Sequence, residues 1–506
     1  MFSAGAYGLL DSGSAFGYTH PLKNPVHSRI SKAVAMTGII PRYPWMIICC
    51  SALLLATSLD SKTGFTQVGT AAGTETASTP MKQNPIEISS NSAFRIALSN
   101  MQPGTTLLLA PGTYGSFSLH GVQGTAQAPI VITGRDPEDP PFFTGRGEGA
   151  KLSSVAFIKL RSLKFIGFSQ NGVNIDDGGK LHVPSHHIVL EDLAILDTGP
   201  QGNHDPLKLS GVQDFVVRGC RFEGWGGSGI DMVGCHRGLV EDCAFIGRKG
   251  FRTKNSIQIK GGSSSILVQT SFFRNAGERV IQIGGSTGPA YFRPPGAPYE
   301  ARDVTVAGNR LVGGEAHISW VTCQDTHVHH NLFYLPGKWL ARVLQESKKD
   351  QFVACQGGLF EHNLVVTDSL VDVFVNIGLG TRPETFTFHH NAWYSLGTSA
   401  RPDLPTPKMD GIYGVDPHIQ DANTPAIRIG SRDPALQRIG PDAYTPWHPQ
   451  QEFADINVPP PAKLAPPPTP RSKWKPYTSY ALLGALVVVA LGTRRVLRNR
   501  QHHDRG

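Results

Sequence analysis

The chain has 506 residues, a formal net charge of +8 and a charged fraction of 17%. The basic excess lies at the ends: residues 471–506 carry eight Lys and Arg against one Asp, whereas residues 61–470 carry 35 basic and 36 acidic residues. A body with balanced charge argues against a nucleic-acid-binding protein, so we expect no nucleic-acid partner.

The N-terminal region predicts export. An apolar run, WMIICCSALLLATS at 45–58, follows Arg42 and ends in small residues, which is typical of a secretory signal and too short for a comfortable membrane span. Because 44 residues precede the run, translation starting at either Met1 or Met36 stays open. We predict an N-terminal extension and signal over 1–58 and a linker over 59–90.

A repeated pattern of apolar residues dominates the middle of the chain. It occurs eight times at intervals of 22 to 38 residues, with one small or amide residue at a fixed position in each copy. These positions are Leu193, Cys220, Cys243, Ser271, Asn309, Asn331, Asn363 and Asn391. Such a period marks a solenoid, and the equivalent residues are expected to stack as a ladder at one corner.

A second repeated element specifies the solenoid type. Short segments with alternating apolar residues and glycine at their ends follow most copies, as in 206–211 and 256–261. Several strands per coil without a crossover helix predict an all-β fold, a single-stranded right-handed parallel β-helix over 91–400. At its start, residues 91–133 predict a short helix that caps the first coil.

The C-terminal region predicts an anchor. Residues 401–457 match the repeat poorly and are expected to cap or wrap the end of the solenoid, before a proline-rich stalk at 458–476. Residues 477–500 predict a transmembrane or sorting helix with a basic tail; a buried C-terminal helix is the alternative. We expect an exported protein, at the cell surface or in the periplasm, anchored in the membrane at its C-terminus.

The cysteine and histidine spacing predicts no metal site. Cys220 and Cys243 occupy equivalent positions on successive coils, where buried free thiols are favoured over a disulfide. The His-His pairs at 329–330 and 389–390 recur at one repeat position, next to the ladder. This recurrence favours a structural corner over metal ligation.

Two segments at the start of the solenoid resemble a known family. Residues 106–114 (TLLLAPGTY) and 124–132 (GTAQAPIVI) look like the opening of the chondroitinase B and alginate lyase family, within the pectate-lyase-like superfamily of polysaccharide lyases. The resemblance covers roughly residues 90–400. It implies a β-helix that cleaves a uronate-containing polysaccharide by β-elimination.

Side chains on the short glycine-flanked strands are expected to form a column along one outward face. Its predicted members are Lys208, Asp231, Gln258, Gln282, His317 and Arg342. Charged and amide groups one coil apart suit a linear anionic polysaccharide, although any solvated strand face is polar. Tyr291 and Arg293, in an insertion at 286–302, could add an aromatic and cationic wall for sugar stacking.

The resemblance also implies site residues. Residues 257–260 (IQIK) match the family's base motif, so Lys260 is the first candidate for the base. The family's calcium-binding glutamates correspond to Thr253 and Asn255, which makes Ca²⁺ doubtful, and its catalytic arginine corresponds to Gly284. Arg279 or Arg342 could supply the missing cation.

We therefore predict a polysaccharide lyase with Lys260, Arg279, Arg342 and His317 as candidate catalytic residues. Lys208, Asp231, Gln258, Gln282, Tyr291 and Arg293 are the candidate substrate-binding residues. A glycoside hydrolase or uronate epimerase on the same fold is one alternative, with Asp231 and Asp205 as the carboxylates. A non-catalytic adhesin is the other. We expect a monomer.

Overall fold

The computed structural model of the protein describes residues 84–397 and 401–462. Within these ranges the chain winds through three sheets, passing from sheet A to sheet B to sheet C on ten successive coils, and the last two coils add strands to sheets A and B. Neighbouring strands in each sheet are parallel, as in a solenoid whose coils stack on one another. The predicted parallel β-helix is therefore present, with three strands per coil.

Sheet A has thirteen strands. Their bounds are Ile86–Ile88, Thr106–Leu109, Ile130–Gly134, Ala156–Arg161, Ser185–Glu191, Val212–Arg218, His236–Glu241, Ser263–Gln269, Ala301–Ala307, Cys323–His329, Gly358–Glu361, Thr387–His389 and Lys408–Met409. Aliphatic residues of this sheet, such as Ile188 and Leu190, point into the core and are 1% exposed.

Sheet B has twelve short strands. Their bounds are Thr113–Tyr114, Phe142–Phe143, Lys164–Ile166, Ala194–Thr198, Arg221–Trp225, Ala244–Ile246, Phe272–Arg274, Arg310–Val312, Leu332–Tyr334, Leu364–Thr367, Ala392–Ser395 and Ile412–Tyr413. Aromatic residues stack along its inner face: the ring centroids of Phe222 and Phe245 are 4.9 Å apart, and those of Phe245 and Phe273 are 4.7 Å apart. This stacking holds successive coils in register.

Sheet C has ten strands. Their bounds are Phe117–His120, Ala150–Ser153, Val173–Asp176, Leu207–Ser210, Ser228–Val233, Asn255–Lys260, Arg279–Gly284, Ala316–Val321, Trp339–Leu344 and Val375–Ile377. Isoleucine residues such as Ile257, Ile259 and Ile281 are fully buried in the core, and the residues between them point outward.

The predicted corner ladder lies between sheets A and B. Each of the four asparagine side chains is at most 1% exposed, and the Nδ2 groups of Asn309 and Asn331 each donate to the next Oδ1 at 3.0 Å. Asn363 continues the chain to Asn391 at 3.1 Å. Backbone amides also donate to the ladder, as from Ser271 to Asn309 Oδ1 at 2.9 Å. These hydrogen bonds satisfy the buried amides.

The helix Asn91–Leu98 precedes the first complete coil. Its N-cap is Ser90, whose Oγ accepts a hydrogen bond from the backbone N–H of Ala93 at 3.2 Å. Phe94 is fully buried and packs edge-to-face against Tyr114 and Phe117, with ring centroids 5.7 and 5.3 Å apart. Ala93, Ala97 and Leu98 also pack against the core, so the helix is attached through its apolar face.

Residues 401–462 contain little regular structure beyond the last strands of sheets A and B. Short 3₁₀ helices span Pro434–Leu436 and Pro441–Ala443, as others span Pro289–Tyr291 and Pro383–Thr385 earlier in the chain. The segment was expected at the end of the solenoid, but it packs along the outer faces of sheets A and B. Ile456 packs on Val216 and Leu239, and Leu436 belongs to a cluster that contains Leu364. The described part of this segment leaves the column on sheet C uncovered.

Several predicted segments lie outside the described residues. These are the signal and N-terminal extension at 1–58, most of the linker at 59–90 and of the proline-rich stalk at 458–476, and the anchor at 477–500. In the described ranges, no helix combines the length and the hydropathy that a membrane span requires.

Candidate functional site on sheet C

The strand register of sheet C builds one continuous column of outward-facing side chains, called here the polar column. Lys208 pairs with Asp231, Asp231 with Gln258, and Gln258 with Gln282. The whole column is Ser118, Lys151, Asn174, Lys208, Asp231, Gln258, Gln282, Ser319, Arg342 and Asn376. The register thus brings five of the six predicted members together, and their functional roles stay predictions.

His317 is not a member of the polar column, and that expectation was wrong. Gln282 pairs with Ser319, so His317 lies two residues before the column position. Its side chain is fully buried, its ring is 5.7 Å from that of Phe333, and its Nε2 is 2.8 Å from the carbonyl oxygen of Gly313. Burial lowers the pKa of His317 to about 4, which marks a neutral core histidine.

Four charged residues at the middle of the column form a lysine–aspartate cluster: Asp205, Lys208, Asp231 and Lys260. Lys208 Nζ is 3.0 Å from Asp205 Oδ2 and 2.7 Å from Asp231 Oδ2. Lys260 Nζ is 2.8 Å from Asp231 Oδ1. The carboxylates are at most 1% exposed, whereas the lysine side chains are 21% and 16% exposed. The cluster therefore combines two partly exposed lysine side chains with two buried carboxylates.

The two carboxylates differ in their electrostatic surroundings. Burial alone would raise the pKa of Asp231, but the ammonium groups of Lys260 and Lys208 outweigh it and the net pKa is lowered. Burial and the neighbouring Asp231 raise the pKa of Asp205. Burial would lower the pKa of Lys208, yet the two carboxylates raise it. Asp231 is thus the firmly ionised member, and Lys208 is a permanent cation.

Two cations converge on the column from opposite ends of neighbouring strands. Lys260, at the end of its strand, donates from Nζ to Gln258 Oε1 at 3.0 Å. Arg279, at the start of the next strand of sheet C, donates from Nη1 to Gln282 Oε1 at 2.8 Å. Gln258 and Gln282 are direct cross-strand neighbours. Although Gly284 leaves no side chain beside Lys260, Arg279 reaches the adjacent part of the column from the other side. We call Lys260 and Arg279 the convergent pair.

Arg342 lies on the column beyond the convergent pair. Its guanidinium is 4.5 Å from the centre of the Trp339 ring, and its Nε donates to Asn376 Oδ1 at 3.3 Å. Burial and the nearby charge of Arg279 lower the pKa of Arg342. Ser319 separates Arg342 from Gln282 on the column, so Arg342 can contact a bound polymer at a different unit from the convergent pair.

The insertion at 286–302 contains an exposed aromatic residue and a buried arginine that attaches the insertion to the solenoid. Tyr291 is 64% exposed, which leaves its ring available for a sugar. Arg293, predicted to bind substrate, instead forms a buried bidentate pair with Asp177, with contacts of 2.5 and 3.0 Å. The arginine is 8% exposed. Its prediction as a sugar-binding residue was wrong, because the guanidinium ties the insertion to an earlier coil.

A depression of about 380 Å³ adjoins the starts of the strands that carry the convergent pair. Three cationic side chains, Arg248, Lys249 and Arg252, line it together with Glu278. Thr253 also lines it and is 5% exposed, and its Oγ1 has no hydrogen-bond partner among the described residues. The depression extends the polar surface sideways from the column.

The residues at the family's calcium position do not fit a calcium ion. Ca²⁺ binds six to eight oxygen ligands. Asn255 Oδ1 is buried without a hydrogen-bond partner among the described residues, but Thr253 and Asn255 contribute no carboxylate. The buried carboxylates of Asp205 and Asp231 share the ammonium of Lys208. A divalent ion there would face that ammonium, so no step is routed through calcium.

Some contributors to the site were missed in the sequence. Lys151 lies on the column, and its strand shows the same alternation of apolar residues as the strands that carry Lys208 and Asp231. Trp339, under Arg342, occupies the first position of its strand. Glu346, which is 2.8 Å from Arg279 Nη2, follows a strand in a segment without a repeat signal. Only the first of these could have been found from the pattern.

A scan against protein families matches residues 148–333 to the family described as "Right handed beta helix region". The fold is a right-handed parallel β-helix. This confirms the fold predicted from the repeat and adds its handedness to the coils described above. A comparison with curated protein sequences finds no match.

Solved structures similar to the chain include polysaccharide-degrading enzymes and a phage protein. An alginate lyase from Paenibacillus sp. str. FPU-7 is 16% identical, with 58% of this chain and 96% of that chain covered and a TM-score of 0.36. Pectate lyase Pel9A is 11% identical, with 61% of this chain and 80% of that chain covered and a TM-score of 0.43. The tailspike protein of E. coli bacteriophage HK620 is 10% identical, with 62% of this chain and 64% of that chain covered and a TM-score of 0.37.

Proposed function

We propose that the polar column binds a uronate-containing polysaccharide and that the chain cleaves it by β-elimination at the convergent pair. The observation that carries the proposal is that Lys260 contacts Gln258 and Arg279 contacts Gln282, and that these two glutamines are cross-strand neighbours. A lysine and an arginine on adjacent coils can supply a proton-transfer group and a carboxylate-binding group to one bound polymer.

The arrangement of the column supports a linear ligand. Successive coils are about 4.8 Å apart, so the column places a polar or charged group on each coil along the axis. Asp231, Gln282 and Ser319 are at most 1% exposed. The side chains of Lys208 and Lys260 are partly exposed, and Arg342 adds a guanidinium further along. Carboxylates and hydroxyls repeated along a polymer can each meet a cation or an amide. Tyr291 adds an exposed aromatic ring.

Elimination assigns different tasks to the two cations. Arg279 neutralises the uronate carboxylate, which makes the proton at C5 more acidic. Lys260, as the neutral amine, takes that proton. The electron pair of the C5–H bond forms the C4–C5 double bond as the C4–O bond breaks, and the departing glycosidic oxygen takes a proton from water. Arg342 holds the polymer at another unit. Removing a general base typically slows a reaction 10²- to 10⁴-fold, and removing a charge-stabilising group about 10²- to 10³-fold.

The contact between Lys260 and Asp231 sets a condition on this mechanism. A lysine accepts a proton only as the neutral amine, and an ammonium paired with a carboxylate must first lose its own proton.

A hydrolase is the second candidate, supported by the pair Asp205 and Asp231. Both carboxylates contact Lys208 Nζ, so their oxygens are less than about 6 Å apart, close to the carboxylate separation of retaining glycosidases. Their pKa values also shift in opposite directions, as an acid and a nucleophile require. Their nearly complete burial favours a structural role, because neither carboxylate reaches solvent.

Location and architecture complete the proposal. We propose that the chain is exported and anchored through residues 477–500, with the solenoid facing outward, and that the helix Asn91–Leu98 closes its first coil. A non-catalytic adhesin would share this location and the binding column but would not cleave its ligand.

The test is to incubate the purified full-length protein with alginate, pectate and chondroitin and to follow the ultraviolet absorbance of unsaturated uronate. We expect absorbance with one of these polymers, a loss of at least about 10²-fold in Lys260→Ala and a comparable loss in Arg279→Ala. Arg221→Ala, which removes an exposed cation on sheet B, is the matched control and should retain activity.

The outcomes separate the candidates. New reducing ends without ultraviolet absorbance would identify a hydrolase, and binding without cleavage would identify an adhesin. Elimination of equal rate in the parent and in Lys260→Ala would remove the lysine from the mechanism.

A further inference from the structure

We propose that His389, His390 and Asp410 form a binding site for a Zn²⁺-class divalent ion. We call these residues the histidine–aspartate triad. It lies on the last coils, at the corner between sheets A and B, and is independent of the function proposed for sheet C. One ligand atom from each residue lies within 4.8 Å of the other two.

The repeat builds the triad from two successive coils. His390 and Asp410 occupy the same corner position, directly after the paired residues His389 and Met409. Both adopt the left-handed backbone conformation, with φ of +47° and +51°. The His390 backbone N–H donates to the carbonyl oxygen of Met409 at 2.9 Å, and the Ile412 N–H donates to that of Asn391 at 2.9 Å. The backbone on both sides of the triad is therefore fixed by interstrand hydrogen bonds.

The distances within the triad suit a shared ion better than direct hydrogen bonds. Nε2 of His389 and Nε2 of His390 are each 3.6 Å from the same oxygen, Asp410 Oδ2. A hydrogen bond between such atoms would be about 2.7–3.2 Å. Two ligand atoms bound to one tetrahedral ion at about 2.0–2.2 Å are about 3.4 Å apart. Both rings thus converge on one carboxylate at nearly the spacing of metal ligands.

The surroundings of the triad favour a cation that binds imidazole. Asp410 is 68% exposed at its side chain and His390 43%, so an ion can enter from solvent. Glu361 pairs across the strands with His389. This pairing places a second carboxylate one strand away from the triad. Two imidazoles and one carboxylate with an open position for water are a donor set typical of zinc.

A second group of similar composition is a weaker candidate. His187, Asp214 and Asp455 also lie within 4.8 Å of one another. The carboxylate of Asp214, however, binds Arg237 in a bidentate pair, at 2.7 and 2.6 Å, and accepts from the backbone N–H of Ile456 at 3.0 Å. Its charge and lone pairs are already engaged, so the inference is restricted to the triad on the last coils.

The experiment measures zinc binding by the full-length protein after treatment with a chelator. His390→Asn and Asp410→Asn each remove a ligand, and asparagine tolerates the left-handed conformation at both positions. His330→Asn is the matched control, since His330 has the same backbone conformation two coils earlier, with φ of +53°. Calorimetric titration with Zn²⁺ gives the affinity, and visible absorption after titration with Co²⁺ reports tetrahedral coordination.

We expect the parent and His330→Asn to bind zinc with equal affinity at the triad and to melt at a higher temperature with zinc than without it. In His390→Asn and Asp410→Asn the affinity should fall at least about 10-fold and the thermal shift should disappear. His389→Gln supplies a third variant should His390→Asn melt abnormally without zinc. Absence of zinc binding in the parent, or equal binding in the parent and in Asp410→Asn, would overturn the proposal.

Discussion

The asparagine ladder and the polar column both place polar side chains one coil apart, but they differ in what those side chains contact. In the ladder, each amide from Asn309 to Asn363 donates to the next asparagine, and none is exposed. In the column, buried carboxylates hold lysine side chains that remain partly exposed. A closed stack stabilises the coil, whereas an open stack keeps charges available for a ligand.

The difference teaches that periodicity alone does not separate architecture from function. What separates them is whether donors and acceptors at successive positions saturate one another. The following predictions test that distinction, in order of decreasing effect.

The largest loss of stability is expected for a substitution of Asp231, the buried carboxylate of the column. Asp231→Ala should lower the free energy of unfolding by about 3–5 kcal/mol, because it leaves Lys208 and Lys260 without the carboxylate they share. Urea denaturation followed by circular dichroism measures the change. A decrease of less than about 1 kcal/mol would mean that the lysines do not depend on the shared carboxylate. The proposed difference between the column and the ladder would then be wrong.

The ladder should lose stability without losing function. Asn363→Ala should cost about 2–3 kcal/mol, since the Asn331 backbone N–H loses its acceptor at 2.9 Å and Asn331 Nδ2 loses one of its three acceptors, at 3.0 Å. Asn376→Ala, on the half-buried end of the column, is the matched control and should cost less than about 1 kcal/mol. Denaturation of both variants, with the activity assay run in parallel, checks this. Equal costs would contradict the distinction.

His317, on the buried side of a sheet C strand, should make the stability of the protein depend on pH. Its folded pKa of about 4 lies below the ordinary value of 6.5, so the unfolded chain binds the proton more readily. Stability should therefore fall as the pH drops below about 6.5 and stop falling near 4. Through this group alone, the free energy of unfolding should be about 2 kcal/mol lower at pH 5 than at pH 7. Urea denaturation at both pH values should show a smaller difference in His317→Gln than in the parent.

Tyr291 should give the smallest effect. Since its side chain is 64% exposed, Tyr291→Ala should change the free energy of unfolding by less than about 0.5 kcal/mol. If the ring stacks on a sugar, the Michaelis constant for the polymer should increase a few-fold at unchanged turnover number. Phe292→Ala is the contrasting variant, because Phe292 is 1% exposed and packs under the insertion. An unchanged Michaelis constant in Tyr291→Ala would remove the ring from the binding surface.

Much of the fold was predictable because it follows from local periodicity. The corner residues and the apolar alternation are set by side chains only a few positions apart, so Asn309 and Asn331 could be assigned to one ladder from the sequence. The column from Lys208 to Gln282 was predictable for the same reason. The register failed at His317, because the coil between Gln282 and Ser319 contains the long insertion and the spacing there no longer fixes the pairing.

The remaining errors concern contacts between distant segments. Arg293 pairs with Asp177, 116 residues earlier, and no pattern in the sequence joins these positions. Glu346 pairs with Arg279 across 67 residues for the same reason. The packing of residues 401–462 along sheets A and B likewise depends on tertiary contacts, such as that of Ile456 with Asp214, rather than on the repeat.

Lys208 occupies a position between two carboxylates that suits a positive ion. Because this cation is covalently part of the polypeptide, neither dilution nor a chelating agent can remove it, and its stoichiometry is fixed at translation. The electrostatic balance of the cluster is therefore independent of the surrounding calcium concentration. Such a charge also cannot exchange for a different ion, so the geometry around Asp205 and Asp231 should stay the same in media of widely different mineral content.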